Sequence, residues 1–116
     1  MKLGLIAERL GFRFITESGN EDVDVTGGYV GDLLSDVMAN AEEGNIWITL
    51  QTHVNIVAVA TLKGISGVVI VNGRRPGTDT INKADTERIP LMITDLSAFE
   101  AAGRLYRMLN AENLQD

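Results

Sequence analysis

The chain has 116 residues, no cysteine, 45% hydrophobic and 22% charged content, and a formal charge of −6, which suits one domain around one main core. A field of that sign repels a phosphate backbone and argues against duplex DNA or RNA as a partner. The missing cysteines exclude disulfides, thiolate nucleophiles and cysteine-held metals.

Met1–Phe14 carries Lys2, Glu8, Arg9 and Arg13, too many charges for a signal-peptide core. The longest apolar stretch, Val54–Leu62, is too short to cross a bilayer, so a cytoplasmic protein away from membranes is expected. Leu3, Ile6, Ala7 and Leu10 recur with helical spacing up to Gly11, and Phe12–Phe14 alternates like a half-buried strand. Ser18–Asp22 reads as a polar loop, and Val23 and Val25 as a strand that bends at Gly27-Gly28. Asp32 is placed to cap a helix whose apolar face is Leu33, Leu34, Val37, Met38 and Ala41. Ile46–Ile48 is a strand, Thr52 the expected cap of a helix running to Lys63, and Val68–Val71 an unbroken apolar strand. Arg74–Asp79 reads as a loop, Thr80–Arg88 as a helix and Pro90–Ile93 as a strand. Ser97 and Glu100 form a capping box for a last helix, with Phe99, Ala102, Tyr106 and Leu109 on one face and Glu100 paired with Arg104 on the other. Ala111–Asp116 is expected to fray.

Strands that are apolar on both sides need helices on both sides, so the pattern predicts a single three-layer α/β domain over 1–116 with a mostly parallel sheet. Ligands of such sheets bind where the strands end. That edge collects Thr49, Gln51, Thr52, His53 and Asn55, then Asn72, Gly73, Arg74, Arg75, Gly77, Thr78 and Asp79, then Thr94, Asp95 and Ser97. Arg74 and Arg75 are its basic pair, suited to phosphate oxygens. Thr52, His53, Asn55, Arg74, Arg75 and Thr78 are therefore the candidate ligand-binding residues. Capping and solvated loop charge explain the same residues without a ligand. His53 has neither a second histidine nor flanking carboxylates at ligand spacing, so no metal site is predicted. Neither the phosphate loop with its lysine nor the dinucleotide glycine pattern occurs. No cofactor and no catalytic residue is assigned. The helix Val54–Leu62 carries no charge on any side, so a partner chain is expected on it, through Val54, Val57 and Ala58. The alternative cover is the first or the last helix.

The run Asp24-Val25-Thr26-Gly27-Gly28, with the following Tyr29–Met38, resembles the DRTGG domain family, which is named for an Asp-Arg-Thr-Gly-Gly run. The stretch Trp47–Ala60 and Gly73-Arg74-x-Pro76 agree with it in order, so the resemblance covers about Val23 to Leu109. Val25 stands where the eponymous arginine would be, so no role of that arginine carries over. Asp24, Thr26, Gly27 and Gly28 match. The resemblance implies a fold akin to the N-terminal domains of Mur ligases and HPr kinase, and a regulatory role without catalysis. Such domains occur in phosphotransacetylases and regulated inorganic pyrophosphatases, where the domain pairs with its twin and helps bind a diadenosine polyphosphate. It thus implies a homodimer that senses an adenine nucleotide or another phosphate-bearing molecule and signals to a separate enzyme. A docking subunit without a small ligand is the alternative, and a small acyl- or phosphoryl-transfer enzyme the third reading.

Overall fold

Strands without a polar face are stable only when covered on both sides, and three layers provide that cover. The computed structural model describes residues 1–111. The order is α1 (Leu3–Leu10), β1 (Arg13–Phe14), β2 (Gly27–Val30), α2 (Leu34–Asn40), β3 (Asn45–Thr49), α3 (Asn55–Lys63), β4 (Gly67–Ile70), α4 (Thr78–Glu87), β5 (Leu91–Ile93) and α5 (Ala98–Leu109). The sheet runs β1-β5-β4-β3-β2, with β2 to β5 parallel and β1 antiparallel to β5 at one edge. The predicted α/β class and the mostly parallel sheet are therefore what the chain adopts.

Register divides the core. Tyr29, Trp47, Val68 and Leu91 lie side by side across four strands and pack with α2, α3 and α4. The neighbouring row, with Ile48, Val69 and Met92, packs with α1 and α5. The fully buried Trp47 donates its indole N–H to the Gly31 carbonyl at 2.8 Å, so its one polar atom is satisfied.

Several local expectations change. Gly27-Gly28 is not a bend: both lie inside β2 and neither has positive φ. Gly28 instead permits a close approach, because a Cβ there would stand 3.0 Å from Leu105 Cδ2 of α5. Asp32 does not cap α2; its Oδ1 accepts from Thr49 Oγ1 at 2.9 Å and the Leu50 amide at 2.7 Å. Thr52 does not cap α3, which starts later, and His53 Nδ1 accepts the Asn55 amide at 3.1 Å. Helix α4 begins at Thr78, two residues before the predicted start, with Gly77 at its cap position. The Ser97–Glu100 cap and the Arg104–Glu100 pair form, the latter at 3.7 Å.

Helix α3 gets its cover from α2 and α4, while α1 and α5 lie on the other face of the sheet. Val57 is 1% exposed within the chain's own core, Val54 is half-buried, and Ala58 points to solvent. Val57 is thus not available to a partner, because its neighbours in the same chain already fill the space around it. On α5 the expected face also turns. Ala101 and Leu105 are buried, whereas Phe99 is 88% and Tyr106 61% exposed. The polar Ser18–Asp22 loop is anchored: Asp85 Oδ1 accepts the Glu17 and Ser18 amides at 2.8 Å each. Of the expected fraying segment, Ala111 lies in the turn after α5 and residues 112–116 lie outside the described residues. Among the described residues no helix is long and apolar enough to cross a membrane.

Candidate functional site

Parallel pairing brings the ends of β2, β3, β4 and β5 to one edge of the sheet. β2 ends at Val30, and the chain continues through Gly31 to Asp32. The Asp32 carboxylate ties this turn to the end of β3, and Gln51 Nε2 donates to the Asp32 carbonyl at 2.8 Å. After β4 the backbone turns through two successive left-handed residues, Asn72 (φ 60°) and Gly73 (φ 67°), a conformation that asparagine and glycine tolerate best. The Asn72 and Gly73 amides donate to the Leu96 and Thr94 carbonyls at 2.8 and 2.9 Å, pinning the loop across the end of β5. Thr80 Oγ1 donates to the Thr52 carbonyl at 2.9 Å, which joins the start of α4 to the segment after β3.

Two cavities flank the 72–77 loop. The first, of 280 Å³, is lined by Asp32, Leu50, Gln51, Thr52 and Arg74. The second, of 330 Å³, holds Arg75 with Arg13, Gly73, Thr94 and Asp95. Of the predicted ligand residues, Thr52 and Arg74 thus share a cleft, whereas Arg75 faces a different one. His53, Asn55 and Thr78 are exposed and line neither. Two contributors were not legible as such. Asp32 reads as a helix cap in the sequence, although its position just past Val30 puts it on this edge. Arg13 arrives only through the antiparallel pairing of Arg13 with Ile93, which no local pattern encodes.

The Asp24–Gly28 run lies at the opposite edge, where β2 begins. Asp24 pairs with Lys2 Nζ at 3.2 Å and with the terminal amine at 3.8 Å. Thr26 Oγ1 donates to the Glu43 carbonyl at 2.8 Å and accepts from Asn45 Nδ2 at 3.3 Å. Gly44 (φ 84°) sits so close that a Cβ would meet Thr26 Cγ2 at 2.6 Å. Val25 is buried among the residues that pack with α1 and α5. This motif fastens the chain start and the β3 turn, and it contributes nothing to the cleft at the other edge. Tyr29 donates its hydroxyl to Asp36 Oδ2. That hydrogen bond, helped by burial and by the carboxylate's charge, raises the phenol pKa above its ordinary value and links β2 to α2.

A third feature is apolar. A groove of 510 Å³ runs between α5 and β2, lined by Gly28, Val30, Phe99, Leu105, Tyr106 and their neighbours. Among the described residues no three His, Cys, Asp or Glu side chains are grouped to hold a metal ion.

No family model matches the sequence, and no curated protein matches it. Among solved structures, the fold is similar to that of the CBS and DRTGG domains of the regulatory region of Clostridium perfringens pyrophosphatase, complexed with its activator diadenosine tetraphosphate. The TM-score is 0.71 at 20% identity, covering 90% of this chain and 45% of that one. The likeness is one of fold, and this chain spans less than half of that regulatory region.

Proposed function

We propose that this chain is a non-catalytic, DRTGG-like regulatory domain that binds a phosphate-bearing small molecule, with an adenine nucleotide as the leading class. On this reading it is a cytoplasmic protein that reports to a separate enzyme. The observation that carries the reading is the cleft where Arg74 meets Thr52 and Gln51 at the strand ends. Among the described residues Arg74 makes no ion pair, so its guanidinium fork is free for phosphate oxygens. The Asp32 carboxylate in the same cleft is already engaged by two hydrogen bonds. Support for the nucleotide class is the fold shared with a regulatory region that carries diadenosine tetraphosphate. The test is thermal unfolding with ATP and with diadenosine tetraphosphate. Ligand at about 100 times its Kd stabilises by about 2.7 kcal/mol, a rise of roughly 10 °C for a domain of this size. No shift with either compound would reject the reading, and so would an equal shift in Arg74→Ala.

The reading includes a homodimer, placed on the α5–β2 groove instead of α3. Strand β2 is an open sheet edge, and Gly27-Gly28-Tyr29-Val30 lacks the lysine or proline that commonly blunts such edges. Phe99 and Tyr106 would together withdraw roughly 250–350 Å² per copy from water. With the strand edges added, two copies approach the roughly 1,000 Å² that a specific interface needs. The same groove is the one observation that favours the rival reading, a docking subunit without a small ligand.

A further inference from the structure

The cavity beyond Gly73 differs in kind from the Arg74 cleft. The chain leaves β4 towards α4 on one face of the sheet and leaves β5 towards α5 on the other. The loop after β4 is nonetheless held across the end of β5 by its Asn72 and Gly73 amides, and on the far side of that loop a crevice opens between the end of β5 and the start of β1. Arg13 enters the crevice from β1, opposite Ile93, and Arg75 enters from the loop after β4. We propose that this crevice is a second ligand site, separate from the Arg74 cleft, for the phosphate monoester of a hydroxylated compound, of sugar-phosphate chemistry. Arg13 and Arg75 hold the phosphate, and Asp95 accepts from the hydroxyls.

Three observations carry this assignment. Arg13 and Arg75 face one cavity of 330 Å³, and among the described residues neither lies within 4 Å of a carboxylate oxygen, although Asp95 lines the same cavity. Two like charges around a common space repel each other until an anion enters, and a dianionic phosphate satisfies two guanidinium forks at once. Second, the Asp95 carboxylate accepts no hydrogen bond among the described residues, whereas Asp32 and Asp85 each accept at least two. A free carboxylate repels bare phosphate and favours a ligand that brings hydroxyl donors beside its phosphate. Third, Gly73 leaves the mouth open, since a Cβ there would stand 3.1 Å from Asp95 Oδ1. A volume of 330 Å³ suits one small sugar phosphate.

Calorimetric titration of the full chain with ribose 5-phosphate, ribose, inorganic phosphate and AMP tests the assignment. Ribose 5-phosphate should bind at least tenfold more tightly than inorganic phosphate, and ribose alone should not bind. Arg13→Ala and Arg75→Ala should each weaken ribose 5-phosphate tenfold or more, while Arg74→Ala leaves it unchanged, which separates this site from the cleft of the proposed function. Asp95→Asn should move the two ligands in opposite directions, strengthening inorganic phosphate and weakening ribose 5-phosphate. In Arg74→Ala, where the first cleft is disabled, AMP that matches ribose 5-phosphate makes the ligand the ribose-phosphate part of a nucleotide, and AMP that fails to bind makes it a free sugar phosphate. Both outcomes keep the site. Arg13, Arg75 and Asp95 are exposed, so the variants should fold, which their melting curves check. Wild-type affinity in both Arg13→Ala and Arg75→Ala, or inorganic phosphate binding as tightly as ribose 5-phosphate, overturns the proposal.

Discussion

Replacing Val57 and its neighbour Ala58 by aspartate separates burial in the chain's own core from burial against a partner. Val57 is 1% exposed and Ala58 faces solvent, one residue apart on the same helix. Val57→Asp forfeits about 1.5–2 kcal/mol of apolar transfer and buries a carboxyl group that finds no partner, at about 2–7 kcal/mol. The sum, roughly 3.5–9 kcal/mol, is comparable to the whole stability of a domain, about 5–15 kcal/mol. Val57→Asp should therefore lose cooperative urea unfolding and near-UV dichroism, whatever the oligomeric state of the wild type. Ala58→Asp should stay within about 0.5 kcal/mol of wild type and keep its mass in light scattering. Phe99→Glu, on the groove, should fold normally and run as a monomer where the wild type runs as a dimer. A folded, monomeric Val57→Asp beside a dimeric wild type would refute the reasoning and return the interface to α3.

Thr26→Val keeps the shape but removes the hydroxyl that donates to the Glu43 carbonyl and accepts from Asn45; urea midpoints should show a loss of about 1–2 kcal/mol with nucleotide affinity unchanged. Gly28→Val pushes atoms into Leu105, already 3.0 Å from the position of a Cβ, and should cost about 1–3 kcal/mol by overpacking, read from the thermal midpoint. The Ser18 amide, followed by the Glu17 amide and the Ser18 hydroxyl, holds the Asp85 carboxyl below its ordinary pKa against the opposing effect of burial. A carboxyl whose folded pKa is depressed contributes stability above its unfolded value, about 3.9, and loses it as pH falls through the folded value. Asp85→Asn should thus be less stable than wild type at neutral pH, and the gap in urea midpoints should close on acidification below about pH 4; a gap that stays constant with pH would contradict this.

The sequence carried the fold because the strongest signals are local. Leu3–Leu10 with Gly11 and the Ser97 capping box concern neighbouring residues, and Ile46–Ile48 and Val68–Val71 have no polar face to mislead. What failed was decided by distant partners. Gly27-Gly28 reads as a bend until Leu105 is seen lying on it. Asp32 reads as a cap because its true partners, Thr49 and Leu50, come 17 and 18 residues later. The uncharged run Val54–Leu62 suggests a partner chain because its cover comes from α2 and α4, separate segments that no local pattern sets against it. At the candidate site, parallel-sheet logic brought Thr52 and Arg74 to one edge. It could not foresee that Arg74 and Arg75, adjacent in sequence, would line different cavities, or that Arg13 would join one of them.

The most direct test of the central claim is amide mapping by NMR during titration with ATP. Saturable shifts should appear at Gln51, Thr52 and Arg74, just past the ends of β3 and β4, and all should be lost in Arg74→Ala. Shifts confined to Thr26, Gly27 and Gly44 at the opposite edge, or none at millimolar ATP, would contradict that claim.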